Sequence, residues 1–130
     1  MQSKCIEQWH KAVANSDPSL LSELLSDDVV FHSPVVHTPQ LGKAITLKYL
    51  SAAVEVLVNK SFQYTAEMSN SRRVTLEFQV ELEGTVVNGV DMISWNEDEK
   101  ITEFKVMVRP LKAMGVVQKL MAERLTRGAS

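Results

Sequence analysis

The chain carries 130 residues, 45% of them hydrophobic and 23% charged, and its 14 basic and 16 acidic side chains leave a formal net charge of -2. That length suits one domain, residues 1–130, built on one core, with the balance of a soluble globular protein. No apolar run approaches the ~18 residues of a membrane helix, and the scattered lysines and arginines form no basic stripe, so neither a membrane nor a nucleic acid is expected as a partner.

The N-terminus lacks the basic-then-apolar pattern of a signal peptide, and the single Cys5 has no partner for an internal disulfide, so a cytoplasmic setting is expected. From Ser3 to Asn15 the apolar residues Ile6, Trp9 and Val13 fall three and four apart, which predicts an amphipathic helix. Asp17 followed by Pro18 reads as an N-cap and first helical residue: the carboxylate accepts orphaned amides, and proline has no amide to leave unpaired. A short helix with Leu20, Leu21, Leu24 and Leu25 should follow. Asp27 to Ser33 then turns β-branched and aromatic and predicts a strand, and Pro34 and Pro39 make the next residues a loop.

Gly42 introduces a helix whose apolar residues occupy two neighbouring faces, Ile45, Tyr49, Ala52 and Val56 beside Leu47, Leu50, Val54 and Leu57, so it is expected to be largely buried. The period then changes to two. Phe62, Tyr64, Ala66 and Met68 alternate with polar residues, as do Val74, Leu76, Phe78, Val80 and Leu82, with a turn expected at Ser69, Asn70 and Ser71. Two further strands, Thr85 to Trp95 and Lys100 to Val108, carry apolar residues on both faces and so are expected to be covered on both sides. Pro110 starts a last helix with Leu111, Met114, Val117 and Met121 on one side, becoming polar from Thr126 to Ser130.

Helices with one early strand, followed by a run of antiparallel strands, make an α+β pattern. The register SDPSLLSELLSDDVVFHSP, the Gly-led helix and the strand pair ending KITEFKVMVRP together resemble the nuclear transport factor 2-like superfamily and, within it, the SnoaL-like branch. The resemblance implies a curved, mostly antiparallel sheet wrapped around N-terminal helices as a cone, a cystatin-like fold with an apolar pocket and a homodimer through the sheet's outer face. Laid over the ketosteroid isomerases of that superfamily, Trp9 falls where they carry an oxyanion-binding tyrosine, Ser33 where they carry the proton-moving aspartate, and Asp91 where they carry a protonated aspartic acid. The base of that mechanism is therefore missing, and an indole donates a hydrogen bond but is no acidic phenol. The arginine-flanked aspartates of the related limonene epoxide hydrolases are missing too, since Gly89 stands two before Asp91.

Asp91 is the leading catalytic candidate. It shares a face with Val87, Gly89, Ile93 and Trp95, and burial there raises a carboxyl's pKa, fitting it to donate a hydrogen bond to a carbonyl or enolate oxygen. The plainer alternative is a core aspartate held by a donor such as Tyr49, Tyr64 or Trp9. His37 is the second catalytic candidate, placed by its loop near the expected mouth, whereas His32 should point away from Phe31 and Ser33. His10 reads as an exposed helix residue and Cys5 as inert. The expected ligand-binding residues are Trp9, Phe31, Ser33, Tyr49, Tyr64, Phe78, Phe104 and Val106. Two histidines without a third ligand make no metal site, and no cofactor is expected. The functional expectation is an isomerase, cyclase or dehydratase acting on a small lipophilic carbonyl compound, against a non-catalytic binding protein or a dimeric protein-interaction module.

Overall fold

A computed structural model of the chain describes residues 3–128. Helix α1, Lys4–Asn15, buries the expected stripe of Ile6, Trp9 and Val13, together with Cys5 and Ala12. Its start is held twice. Ser3 caps it by accepting from the Cys5 amide at 3.1 Å, and Glu99, from a distant turn, accepts from both the Ser3 hydroxyl at 2.7 Å and the Cys5 amide at 2.9 Å. A carboxylate at this end also complements the helix dipole. Helix α2, Pro18–Leu24, begins as expected, with Asp17 as its cap and proline in its first turn.

Strand β1, Leu25–His32, starts two residues earlier than its β-branched run, and a two-residue strand β2, Gln40–Leu41, closes the proline loop. Helix α3, Lys43–Leu57, buries Thr46, Leu50, Ala52 and Val54 and leaves most of its other apolar residues half-buried. The remaining strands are β3, Gln63–Asn70; β4, Arg73–Leu82; β5, Thr85–Trp95; and β6, Ile101–Arg109. Together the strands form one open six-stranded sheet in the order β2-β1-β6-β5-β4-β3. The pairs from β3 to β6 are antiparallel, and β1 lies parallel to β6. Between β4 and β5, Glu83 (φ 50) and Gly84 (φ 77) both take positive φ, the two-residue hairpin turn whose twist suits adjoining strands. Helix α4, Leu111–Gly128, folds back against α3, β5 and β6.

Three expectations are corrected. Strict alternation along β3 fails because a bulge shifts the register between Tyr64 and Ala66. Tyr64 pairs with inward-facing Phe78, but beyond the bulge it is Glu67 that pairs with buried Leu76, so Met68 turns outward and is 71% exposed. The hairpin turn also moves, to Ser71 and Arg72, since β3 continues through Asn70. In α4 the buried side runs through Ala113 and Val117, with Val116, Leu120 and Met121 packed beside them, while Leu111 is 84% exposed. Proline fixes where that helix starts but does not fix its rotation about its own axis.

On β5, Val87, Gly89, Asp91, Ile93 and Trp95 all face inward and are buried, as alternation requires. The outer face carries Val86 and Met107, each about half exposed, beside the half-buried Val90 and Met92, so within one copy of the chain it is not covered. No helix among the described residues is long and apolar enough to cross a membrane.

Candidate functional site

Between the concave face of the sheet and helices α1, α3 and α4 lies a cavity of about 260 Å³. Every residue expected at a ligand site lines it: Trp9 from α1, Phe31 and Ser33 at the end of β1, Tyr49 from α3, Tyr64 from β3, Phe78 from β4, Asp91 from β5, and Phe104 and Val106 from β6. His37 is exposed and is not among the lining residues; its loop contributes Pro34, Val35 and Val36 instead. Sequence reasoning missed Phe62 and the contribution of α4, whose Gln118, Met121 and Leu125 complete the wall. The signal for Phe62 was available, since it has the same parity as Tyr64 ahead of the bulge, and its ring sits between Tyr64 (5.0 Å) and Phe78 (5.5 Å).

The polar centre is a three-residue chain of hydrogen bonds. The Trp9 indole N–H donates to the Tyr64 hydroxyl at 3.0 Å, and that hydroxyl donates to Asp91 Oδ2 at 3.1 Å. Indole can only donate, so Tyr64 accepts from Trp9, and the phenol's own hydrogen remains to be donated to Asp91. Strand order makes the contact, since β3 and β5 flank β4 and a long phenol on one reaches diagonally to a short carboxyl on the other. Asp91 is only 7% exposed, and its second oxygen, Oδ1, has no hydrogen-bond partner among the described residues.

Burial pushes the Asp91 carboxyl up to about 7, with the Tyr64 hydrogen bond pulling the other way. Burial, reinforced by the nearby Asp91, holds the Tyr64 phenol well above its ordinary value, so it remains a neutral donor. Asp91 is the one carboxyl in the cavity wall, and no lysine, arginine or histidine stands with it among the described lining residues. At neutral pH the acid and carboxylate forms are therefore both populated.

Ser33, at the position where the ketosteroid isomerases carry their proton-moving aspartate, accepts from the Val35 amide at 3.2 Å and so turns the loop. An alcohol there can donate a hydrogen bond but does not take up protons near pH 7. His10 is half-buried: its Nε2 lies 2.8 Å from Glu67, brought to the inner face by the bulge, and its ring stands edge-on to Tyr64 at 5.3 Å. His32 points away from the cavity, with Nε2 3.1 Å from Glu103. Burial pushes the Cys5 thiol up to about 12, which leaves it a poor nucleophile. Among the described residues no three histidine, cysteine, aspartate or glutamate side chains gather in a way that could hold a metal ion.

Gly89 sets the floor. A Cβ there would lie 2.3 Å from Phe78 Cζ and 2.9 Å from the Met107 carbonyl oxygen, so the Phe78 ring lies directly over this glycine. Gly89→Ala is expected to force that ring off its seat and cost about 1–3 kcal/mol, the usual range for overpacking. Urea unfolding should show the loss as a lower midpoint at unchanged slope, and an unchanged midpoint would refute the close fit.

A family model described as a SnoaL-like domain matches residues 6–104. Among solved structures, a steroid delta-isomerase from Pseudomonas aeruginosa is 31% identical, with a TM-score of 0.90 over 96% of this chain and 91% of that one. An uncharacterised protein with a cystatin-like fold from Silicibacter pomeroyi is 30% identical, with a TM-score of 0.85 over 93% and 84% of the two chains. A protein described as a SnoaL-like polyketide cyclase, from Shewanella denitrificans, shares the fold at 15% identity, with a TM-score of 0.67 over 89% and 96%. No curated protein sequence gives a significant match.

Proposed function

Because this chain belongs to the SnoaL-like domain family, we propose that it takes a small lipophilic carbonyl compound into its cavity and polarises the carbonyl oxygen with Asp91, in chemistry of the isomerase, cyclase or dehydratase kind. The observation that carries this reading is the Trp9, Tyr64, Asp91 chain of hydrogen bonds ending in an otherwise apolar cavity. Tyr64 occupies Oδ2, so the acid proton of neutral Asp91 belongs on Oδ1, the oxygen left for a ligand. A donor held there strengthens its bond as negative charge gathers on the carbonyl oxygen, and in a cavity sheltered from water that gain is large. Similarity to a steroid delta-isomerase supports a ligand of this chemical type. The cavity lies just below the roughly 300–1,000 Å³ of common ligand pockets, which favours a compact ligand of one or two rings.

Ser33 favours a second reading, in which the same pocket binds without turnover, because its hydroxyl cannot replace the base of an isomerase. In either case the half-exposed outer face around Val86 and Met107 is the surface proposed for a second copy of the chain, and sedimentation as a monomer at micromolar concentration would refute that part.

The test is a thermal-shift screen of cyclic ketones and enones at pH 6 and pH 8, with Asp91→Leu in parallel. A true ligand at 100-fold over its Kd stabilises the fold by about 2.7 kcal/mol. The shift should be larger at pH 6, where Asp91 holds its proton, and should shrink in the leucine variant. No shift with any compound, or an equal shift in Asp91→Leu, would overturn the reading. Turnover of a compound that passes separates enzyme from binding protein.

A further inference from the structure

The deprotonated form of Asp91 poses a separate question. A carboxylate on the floor of an apolar cavity has lost its water and gained one hydrogen bond, from Tyr64. Among the described residues no cation lines the cavity beside it. The groups facing it are the phenol of Tyr64 on β3, Leu76 and Phe78 on β4, Phe104 and Val106 on β6, and Trp9 on α1. The pair His10 with Glu67 meets the Tyr64 ring through the His10 ring, edge-on at 5.3 Å, and does not line the cavity. The other polar groups of the wall, Ser33 and Tyr49 and Gln118, carry no positive charge at any ordinary pH.

Six aromatic side chains, Trp9, Phe31, Phe62, Tyr64, Phe78 and Phe104, stand in the cavity wall with this carboxyl, among aliphatic neighbours such as Leu50, Val54 and Val106. The faces of such rings carry negative potential and attract a cation brought within about 6 Å of them. One buried carboxylate with a free oxygen, sharing an apolar cavity with six aromatic side chains and lacking a positive partner among the described residues, is complementary to a positive ligand.

We propose that this cavity also binds a lipophilic ammonium ion, a protonated amine on an apolar body of one or two rings, with its N–H donating to Asp91 Oδ1. This shares with the carbonyl reading only the premise that the cavity admits a ligand. The two ligand classes select opposite forms of one side chain: a carbonyl oxygen needs the acid, and an ammonium needs the carboxylate. Their pH dependences therefore run in opposite directions. Below the Asp91 midpoint, binding of an ammonium must expel a proton from the carboxyl; above it, no proton moves.

The experiment compares N,N-dimethylbenzylamine, protonated throughout the range used, with its uncharged isostere isobutylbenzene, by calorimetry from pH 5 to pH 8 in buffers of different ionisation enthalpy. Amine affinity is expected to rise by roughly tenfold per pH unit on the acid side and level off on the alkaline side. Proton release should approach one per site at pH 5 and vanish at pH 8, while isobutylbenzene, which shields the carboxyl without pairing it, releases no proton and does not gain affinity as pH rises. Asp91→Asn should weaken the amine by at least tenfold at pH 8 without weakening isobutylbenzene. Amine binding no tighter than that of the hydrocarbon, or affinity that does not change with pH, overturns the proposal. The wild-type titration decides this even if the asparagine variant does not fold. A cyclic ketone in the same series keeps the two ideas apart: failure of the ketone to bind counts against the carbonyl reading alone, and failure of the amine counts against this one alone.

Discussion

Replacing Asp91 by asparagine should make the protein progressively more stable than wild type as the pH is raised. The reason is the carboxyl's position. In the unfolded chain it ionises near its ordinary value of 3.8, whereas burial in the fold holds its proton up to about 7. Between those values the native state binds a proton that the unfolded state does not, so stability falls as pH rises through this window. Below 3.8 both states are protonated, above about 7 both are ionised, and the contribution is flat. From pH 5 to pH 8 the loss in wild type amounts to about 3 kcal/mol at 1.36 kcal/mol per unit. Asparagine does not titrate, and other ionisable groups contribute nearly alike to both proteins, so the difference between their urea-unfolding free energies isolates Asp91. Parallel profiles across that range would show that Asp91 ionises normally. Tyr64→Phe supplies a check of direction: the phenol stabilises the ionised carboxyl, so its removal should move the wild-type transition to higher pH.

The largest loss from any one substitution at the site is expected from Trp9→Ala. Trp9 is 4% exposed, packs against Phe104 with ring centroids 4.9 Å apart, and donates to Tyr64. Truncation of so large a buried side chain costs about 3–5 kcal/mol, a substantial share of a small domain's total stability of about 5–15 kcal/mol. Trp9→Phe retains most of the packing and deletes the N–H, so it should cost only about 1 kcal/mol. Urea denaturation of the pair separates packing from the hydrogen bond. A loss below about 1 kcal/mol for the alanine variant would mean that Trp9 does not dock helix α1 on the sheet.

The difference between what could and could not be read from the residues has a physical basis. Asp91 was legible because β5 keeps its alternation unbroken through that residue, so parity alone put it on the buried face with Val87 and Ile93. Trp9 was legible from helical spacing, and Tyr64 and Trp9 were among the donors named for Asp91, but which of them makes the contact depends on β3 and β5 lying either side of β4. Strand order is a property of the whole chain and leaves no local mark. The bulge after Tyr64 was hidden for a related reason: a one-residue slip leaves the polar and apolar letters as they were and changes only which of them face the helices. Glu67 thereby meets His10 on the inner side, and Met68 goes to solvent. Leu111 was misassigned because a helix's rotation is set by what it packs against, and the α4 wall of the cavity was missed with it.

That bulge also bears on how copies of the chain can associate. β3 is one margin of the sheet, and β2, only two residues long, is the other. A register shift near the start of β3 interrupts its row of amides and carbonyls there, and a two-residue strand offers an incoming strand almost none. Both margins are therefore poor templates for further strands. Growth of the sheet into ribbons or fibres is disfavoured at each end.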